Sequence, residues 1–123
     1  MTFKAEMQAL MNDMATAYMA GDAHGCAKLF VKDGLLYSPY AYPARGRTEI
    51  EALHYAWTVG VTGKELNVLD AAQSGDLGWC LVAYSEGKTT GNGTSLSVVE
   101  RQPEGQWLIR VCSLNSDEPP LHE

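Results

Sequence analysis

Phe3, Met7, Leu10, Met14 and Tyr18 recur three or four residues apart, with Met11 and Ala17 beside them and Lys4, Gln8, Asp13 and Thr16 opposite. That spacing predicts an amphipathic helix over residues 3 to 19, closed by Gly21. Asp22 can accept from the free amides of a following first turn, so a second, shorter helix is expected through Cys26, Leu29 and Phe30. Lys32-Asp33-Gly34 would end it, and Leu35 to Ser38 reads as a short strand stopped at Pro39. Residues 39 to 46 form an aromatic loop between two prolines, Pro39 and Pro43, a candidate lid. Thr48 followed by Glu51 has a capping-box pattern, and Ile50, Leu53, His54 and Trp57 then share one face of a third helix ending near Val59.

After that helix the period changes to strands. Runs over 65 to 74, 77 to 85, 89 to 101 and 106 to 115 are separated by Gly75-Asp76, Glu86-Gly87-Lys88 and Pro103-Glu104-Gly105, each short enough to join antiparallel neighbours. In the second of these, Trp79, Leu81, Ala83 and Ser85 share one face and Cys80, Val82 and Tyr84 the other, so both faces need cover. Trp107, Ile109 and Val111 alternate in the last run and fit either surface. Gly91-Asn92-Gly93 reads as a bulge or bend in a long strand. The expected architecture is α+β, with three N-terminal helices packed on a curved antiparallel sheet. Helices meeting such a sheet at one end predict a cone-shaped cavity deeper than the side chains fill.

The 123 residues suffice for one domain with one core. A net charge of −6 without a Lys/Arg cluster disfavours nucleic acid and anionic membranes as partners. No leader and no spanning apolar run is read, which points to a cytoplasmic protein. Cys26, Cys80 and Cys112 have no metal or redox spacing and read as free thiols in the core. His24, His54 and His122 lack ligand spacing, so neither a metal nor a cofactor is expected. The tail from Ser116 is polar and Pro-interrupted, and is expected to be loose.

The segments Tyr18-Met19-Ala20-Gly21-Asp22, Leu29-Phe30-Val31-Lys32-Asp33-Gly34, Tyr37-Ser38-Pro39, Arg45-Gly46-Arg47-Thr48-Glu49-Ile50 and Gly105-Gln106-Trp107-Leu108-Ile109 together resemble the nuclear transport factor 2-like superfamily, in its SnoaL-like and ketosteroid-isomerase-like branch. The resemblance covers residues 7 to 115 and implies a cystatin-like, cone-shaped α+β barrel. It implies no single activity, since isomerases, dehydratases, cyclases and assembly domains share that fold. Carried across, the isomerase general base falls at Ser38, its oxyanion tyrosine at Met14 and its protonated aspartate near Ser97, so that mechanism is rejected for this chain.

The side chains that the resemblance aims into the cavity are His54, as a catalytic acid or base, and Met14, Tyr18, Ser38, Tyr40, Trp57, Ser97 and Cys112 as ligand-binding residues. For His54 and Tyr18 a purely structural place in the core is the alternative. Arg45 and Arg47, flanking Gly46, are a further candidate for meeting an anionic ligand. Two functions follow. One is a pocket for a small apolar or aromatic metabolite, with isomerase-, cyclase- or dehydratase-type chemistry at His54. The other is a non-catalytic homodimeric binding or assembly module, paired through the sheet.

Overall fold

A computed structural model describes residues 1–86 and 90–118. The Gly87-Lys88 turn, the strand start at Thr89 and the tail with His122 lie outside the described residues. The order is α1 (Phe3–Met19), α2 (Ala23–Ala27), β1 (Phe30–Tyr37), β2 (Ala44–Arg45), α3 (Gly46–Trp57), β3 (Glu65–Ser74), β4 (Leu77–Glu86), β5 (Thr90–Arg101) and β6 (Trp107–Ser116). One six-stranded sheet runs β2-β1-β6-β5-β4-β3, antiparallel except where β1 lies parallel to β6. The architecture is α+β, with the helices on one face of a curved sheet. Among the described residues no helix is long and apolar enough to cross a membrane.

The helical stripe of α1 is buried as its spacing requires, through Met7, Leu10, Met11, Met14 and Tyr18. Full burial of a side chain of that size stabilises the fold by about 1.5–3 kcal/mol. Thr2 caps the helix by accepting from the Ala5 amide at 3.1 Å. Gln8 ties α1 to the sheet's outer strand: its side-chain amide donates to the Leu66 carbonyl, and its oxygen accepts from the Val68 amide, both at 2.8 Å. Two backbone groups of an edge strand are thereby satisfied.

Three local expectations give way to long-range pairing. The second helix stops at Ala27, and Phe30 already belongs to β1, because the Ile109 amide of β6 donates to the Leu29 carbonyl at 2.8 Å and draws the chain into the sheet. Asp22 caps it as anticipated, accepting from the Gly25 amide at 2.8 Å. Lys32-Asp33-Gly34 is then no terminator but part of a register shift between Phe30 and Leu35 within β1. The third helix begins at Gly46, ahead of the Thr48 pattern, because β2 pairs with β1 and delivers the chain directly into it. Its first turn is closed by Glu49, which accepts from the Arg45 amide at 2.9 Å, while Glu51 pairs with His24 at 2.8 Å.

Register shifts also decide which strand residues face the helices. Cys80, Ser97 and Cys112 align across β4, β5 and β6, as do Val82, Ser95 and Leu114. Both rows face inward. Between the Val98–Val111 and Val99–Ile109 pairs, β6 carries one extra residue, Arg110. Ile109 is therefore buried inside, while Val111 turns to the outer face with Val98 and Trp79.

Candidate functional site

The helices and the inner sheet face enclose a cavity of about 60 Å³, lined by Met11, Met14, Tyr18, Phe30, Leu36, His54, Trp57, Lys64, Leu66, Tyr84, Ser95, Ser97, Ile109, Cys112 and Leu114. That is room for about four water molecules, far below the roughly 300 Å³ of a drug-sized site. Side chains fill most of the space between the helices and the sheet. A side compartment of about 20 Å³ adjoins it between Tyr18, Tyr40, Trp57, Lys64, Tyr84 and Glu86.

At the inner end, α3 and β5 supply two polar atoms in apolar surroundings. His54 Nδ1 donates to the Ile50 carbonyl at 2.7 Å, so the proton resides there and Nε2 keeps its lone pair. Phe30, Tyr18 and Trp57 surround the ring. Burial lowers the His54 pKa, the Ile50 carbonyl opposes that shift, and Lys64 adds to it, so the imidazole is neutral at pH 7. Ser97 is fully buried, and its Oγ makes no well-formed hydrogen bond, its polar neighbour being the Cys112 thiol opposite it on β6. A buried hydroxyl without a partner costs about 1–3 kcal/mol. Ser97→Ala is accordingly expected to leave stability unchanged or raise it by up to about 1 kcal/mol in urea titration. A drop would show the hydroxyl to be satisfied.

The His54 shift sets a pH dependence. A histidine held below its ordinary value of 6.5 takes up its proton more readily unfolded than folded, so its contribution to stability is complete above pH 6.5 and falls as pH drops through the folded value. His54→Phe is expected to flatten the part of the acid loss that begins near pH 6.5 in thermal melts. Identical slopes for the two proteins would contradict a buried neutral imidazole.

The outer end carries an ion pair. Lys64 Nζ lies 2.9 Å from Glu86 Oε1, with the two side chains only 9% and 5% exposed. The ammonium also sits 4.2 Å from the centroid of the Tyr18 ring and 5.5 Å from that of Tyr84. Tyr18 donates to the Trp57 carbonyl at 3.2 Å, and burial, reinforced by the adjacent Glu86, pushes its phenol far up, so it stays protonated. Tyr40 donates to the Tyr84 oxygen at 2.7 Å, and Tyr84 donates on to the Asn115 carbonyl at 2.9 Å. Burial likewise raises the Tyr84 phenol.

Of the residues singled out in the sequence, Met14, Tyr18, His54, Trp57, Ser97 and Cys112 line the cavity together. Tyr40 lines only the side compartment. Ser38 stands outside both walls, where its hydroxyl accepts from the Tyr40 amide at 3.2 Å and shapes the aromatic loop. Arg47 is committed to the Phe30 carbonyl at 2.9 Å, and Arg45 lies over the Tyr37 ring. Burial raises the thiols of Cys26, to about 11, and Cys80, to about 12, which keeps them protonated and inert. It raises Cys112 too, partly offset by Ser97 and Lys64. Among the described residues no group of three His, Cys, Asp or Glu side chains is placed to hold a metal.

Sequence reasoning missed Lys64, Glu86 and Tyr84 as site residues. Lys64 sits in an irregular connection, and no periodicity marks it. For Glu86 the signal was present: it continues the inward alternation of Cys80, Val82 and Tyr84, and a carboxylate at an inward position needs a partner.

No family model matches the chain, and no curated protein matches it in sequence. Solved structures do. A domain of unknown function with a cystatin-like fold from Nostoc punctiforme superposes with a TM-score of 0.81 at 23% identity, over 97% of this chain and 81% of that one. A ketosteroid isomerase-like protein from Erwinia carotovora atroseptica gives 0.77 at 18%, over 94% and 96%. A nuclear transport factor 2-like protein with a cystatin-like fold from Novosphingobium aromaticivorans gives 0.75 at 19%, over 94% and 82%. The chain has the cystatin-like fold of nuclear transport factor 2-like proteins, and these similarities extend to the fold alone.

Proposed function

We propose that this protein binds a small, largely apolar molecule bearing one hydroxyl or carbonyl group, with His54 as its acid–base residue. The supporting observation is that the buried Ser97 Oγ, which makes no well-formed hydrogen bond, and the His54 ring, whose Nδ1 is engaged by the Ile50 carbonyl, line one apolar cavity. A hydroxyl or carbonyl oxygen there accepts from Ser97, and a ligand proton is taken by His54 Nε2. A cavity of about 60 Å³ suits a ligand of a few non-hydrogen atoms. The resemblance to an isomerase-like protein is consistent with proton transfer beside a carbonyl, although Ser38, Met14 and Ser97 stand where that mechanism needs ionisable groups.

Native mass spectrometry after incubation with a metabolite extract tests the reading. A bound mass retained by the wild type and lost in Ser97→Ala supports it, and turnover of the captured compound abolished by His54→Ala supports the catalytic part. Equal capture by wild type, Ser97→Ala and His54→Ala overturns it.

A second reading, a homodimer paired through the sheet, is favoured by the outer face, and it is compatible with the first. Leu77, Trp79 and Leu96 are 53%, 38% and 45% exposed there. Trp79, Val98 and Val111 form one apolar row, and Leu81 neighbours Leu96 in the next. On this face Arg110 pairs with Glu100 at 2.9 Å and with Asp33 at 2.7 Å, while among the described residues Asp70, opposite Leu81, accepts only from the Ala71 amide. Leu96→Glu is expected to convert a dimer to a monomer in sedimentation velocity at micromolar concentration. A monomeric wild type removes this reading.

A further inference from the structure

The geometry points to a binding site for an organic ammonium ion at the pocket mouth, an aromatic cage that the chain's own Lys64 occupies. The cage is built by Tyr18 on α1, Trp57 on α3, Tyr84 and Glu86 on β4, and Tyr40 on the loop, whose ring meets Trp57 edge-on at 6.4 Å. Its contents are a cation 4.2 Å and 5.5 Å from two tyrosine centroids and 2.9 Å from a carboxylate oxygen. Aromatic faces around a carboxylate are the chemistry that selects alkylammonium and quaternary ammonium groups.

Stability alone gives little reason for this arrangement. A buried Lys–Glu pair contributes no more than apolar side chains of the same volume, because desolvation offsets the Coulomb attraction. The cage and its occupant also differ in how they are held. Four of the five cage residues lie on helices or strands, whereas Lys64 ends the connection from Thr58, which is neither. A ligand ammonium replacing Nζ leaves the charge of the buried site unchanged, so the exchange strands no ion. An anion would face Glu86 directly. Tyr40, 39% exposed, puts one wall of the cage at the surface, and the chain's net charge of −6 favours the approach of cations.

The cage shares Tyr18, Trp57, Lys64 and Tyr84 with the lining of the main cavity, but Ser97 and His54 are not part of it and the proposal requires no chemistry at them. Choline and its uncharged isostere 3,3-dimethylbutan-1-ol are the probes, titrated into wild type and Lys64→Ala and followed by the NMR shifts of the Trp57 indole. Choline is expected to bind the wild type saturably and Lys64→Ala about tenfold more tightly, since a seated Lys64 reduces the competent fraction. The isostere is expected to bind neither protein saturably. Should Lys64→Ala fail to fold, Lys64→Gln takes its place with the same expectation. No saturable choline binding, an equal response to the isostere, or binding confined to the variant each overturns the proposal, the last because Lys64 is then a permanent part of the core. Loss of the cage in this experiment, with neutral-ligand capture dependent on Ser97 retained, leaves the pocket reading intact.

Discussion

Glu86→Ala is expected to destabilise the protein by ~3–5 kcal/mol, because it leaves the Lys64 ammonium buried without its carboxylate. Lys64 is 9% and Glu86 5% exposed in their side chains, so neither water nor salt replaces the lost partner well. For a domain of this size the loss corresponds to a fall in melting temperature of roughly 12–20 °C. Removing both charges should behave differently. Lys64→Met with Glu86→Leu is expected to fall within about 1 kcal/mol of the wild type, since burying two apolar side chains avoids both desolvation costs. Urea titration of the single and double variants checks this. A single-variant cost below about 1 kcal/mol would mean that the pair is screened by solvent.

Gly93→Ala is expected to cost ~3 kcal/mol, through overpacking rather than backbone propensity. A Cβ at this position would run into the Asn115 carbonyl on β6 and the Tyr84 phenol on β4. Those two groups are joined by the hydrogen bond that anchors the Tyr40–Tyr84 contact at the pocket mouth. Gly93 pairs with Tyr84 and Ser116 in the strand register, so none of the three neighbours can move away without breaking the ladder. The added methyl group should therefore lower the urea midpoint. A variant as stable as the wild type would show that β5 and β6 can part at this end. Here the glycine is required for close approach of two strands, not for a positive backbone angle.

The readings that proved accurate rest on local periodicity. The stripe from Phe3 to Tyr18 could belong only to a helix with one buried face, and Asp22 could accept from the Gly25 amide whatever surrounded it. His54 and Trp57 share a helical face by spacing alone, so their meeting in one cavity follows once α3 packs on the sheet. The strand runs from Glu65 onward were legible for the same reason, with ends displaced by only one residue. Ser38, carried over from the isomerase by position alone, lines neither compartment, because its hydroxyl is turned to the Tyr40 amide of its own loop.

By itself, then, the sequence determined the helices, the strand order along the chain and the fold to which they add up, since those depend on intervals of two and of three to four residues. Tertiary structure decided what those intervals cannot encode. Arg110 as an extra residue in β6 sends Val111 outward and Cys112 inward, reversing the parity that simple alternation assigns. The Ile109 amide, eighty residues beyond its acceptor Leu29 in the chain, shortens α2. Lys64 and Glu86, 22 residues apart, become a site only where the end of β4 meets the connection from α3. A register shift, a long-range hydrogen bond and a long-range ion pair each depend on a partner that local spacing does not identify, even where, as at Glu86, it marks one side as needing a partner.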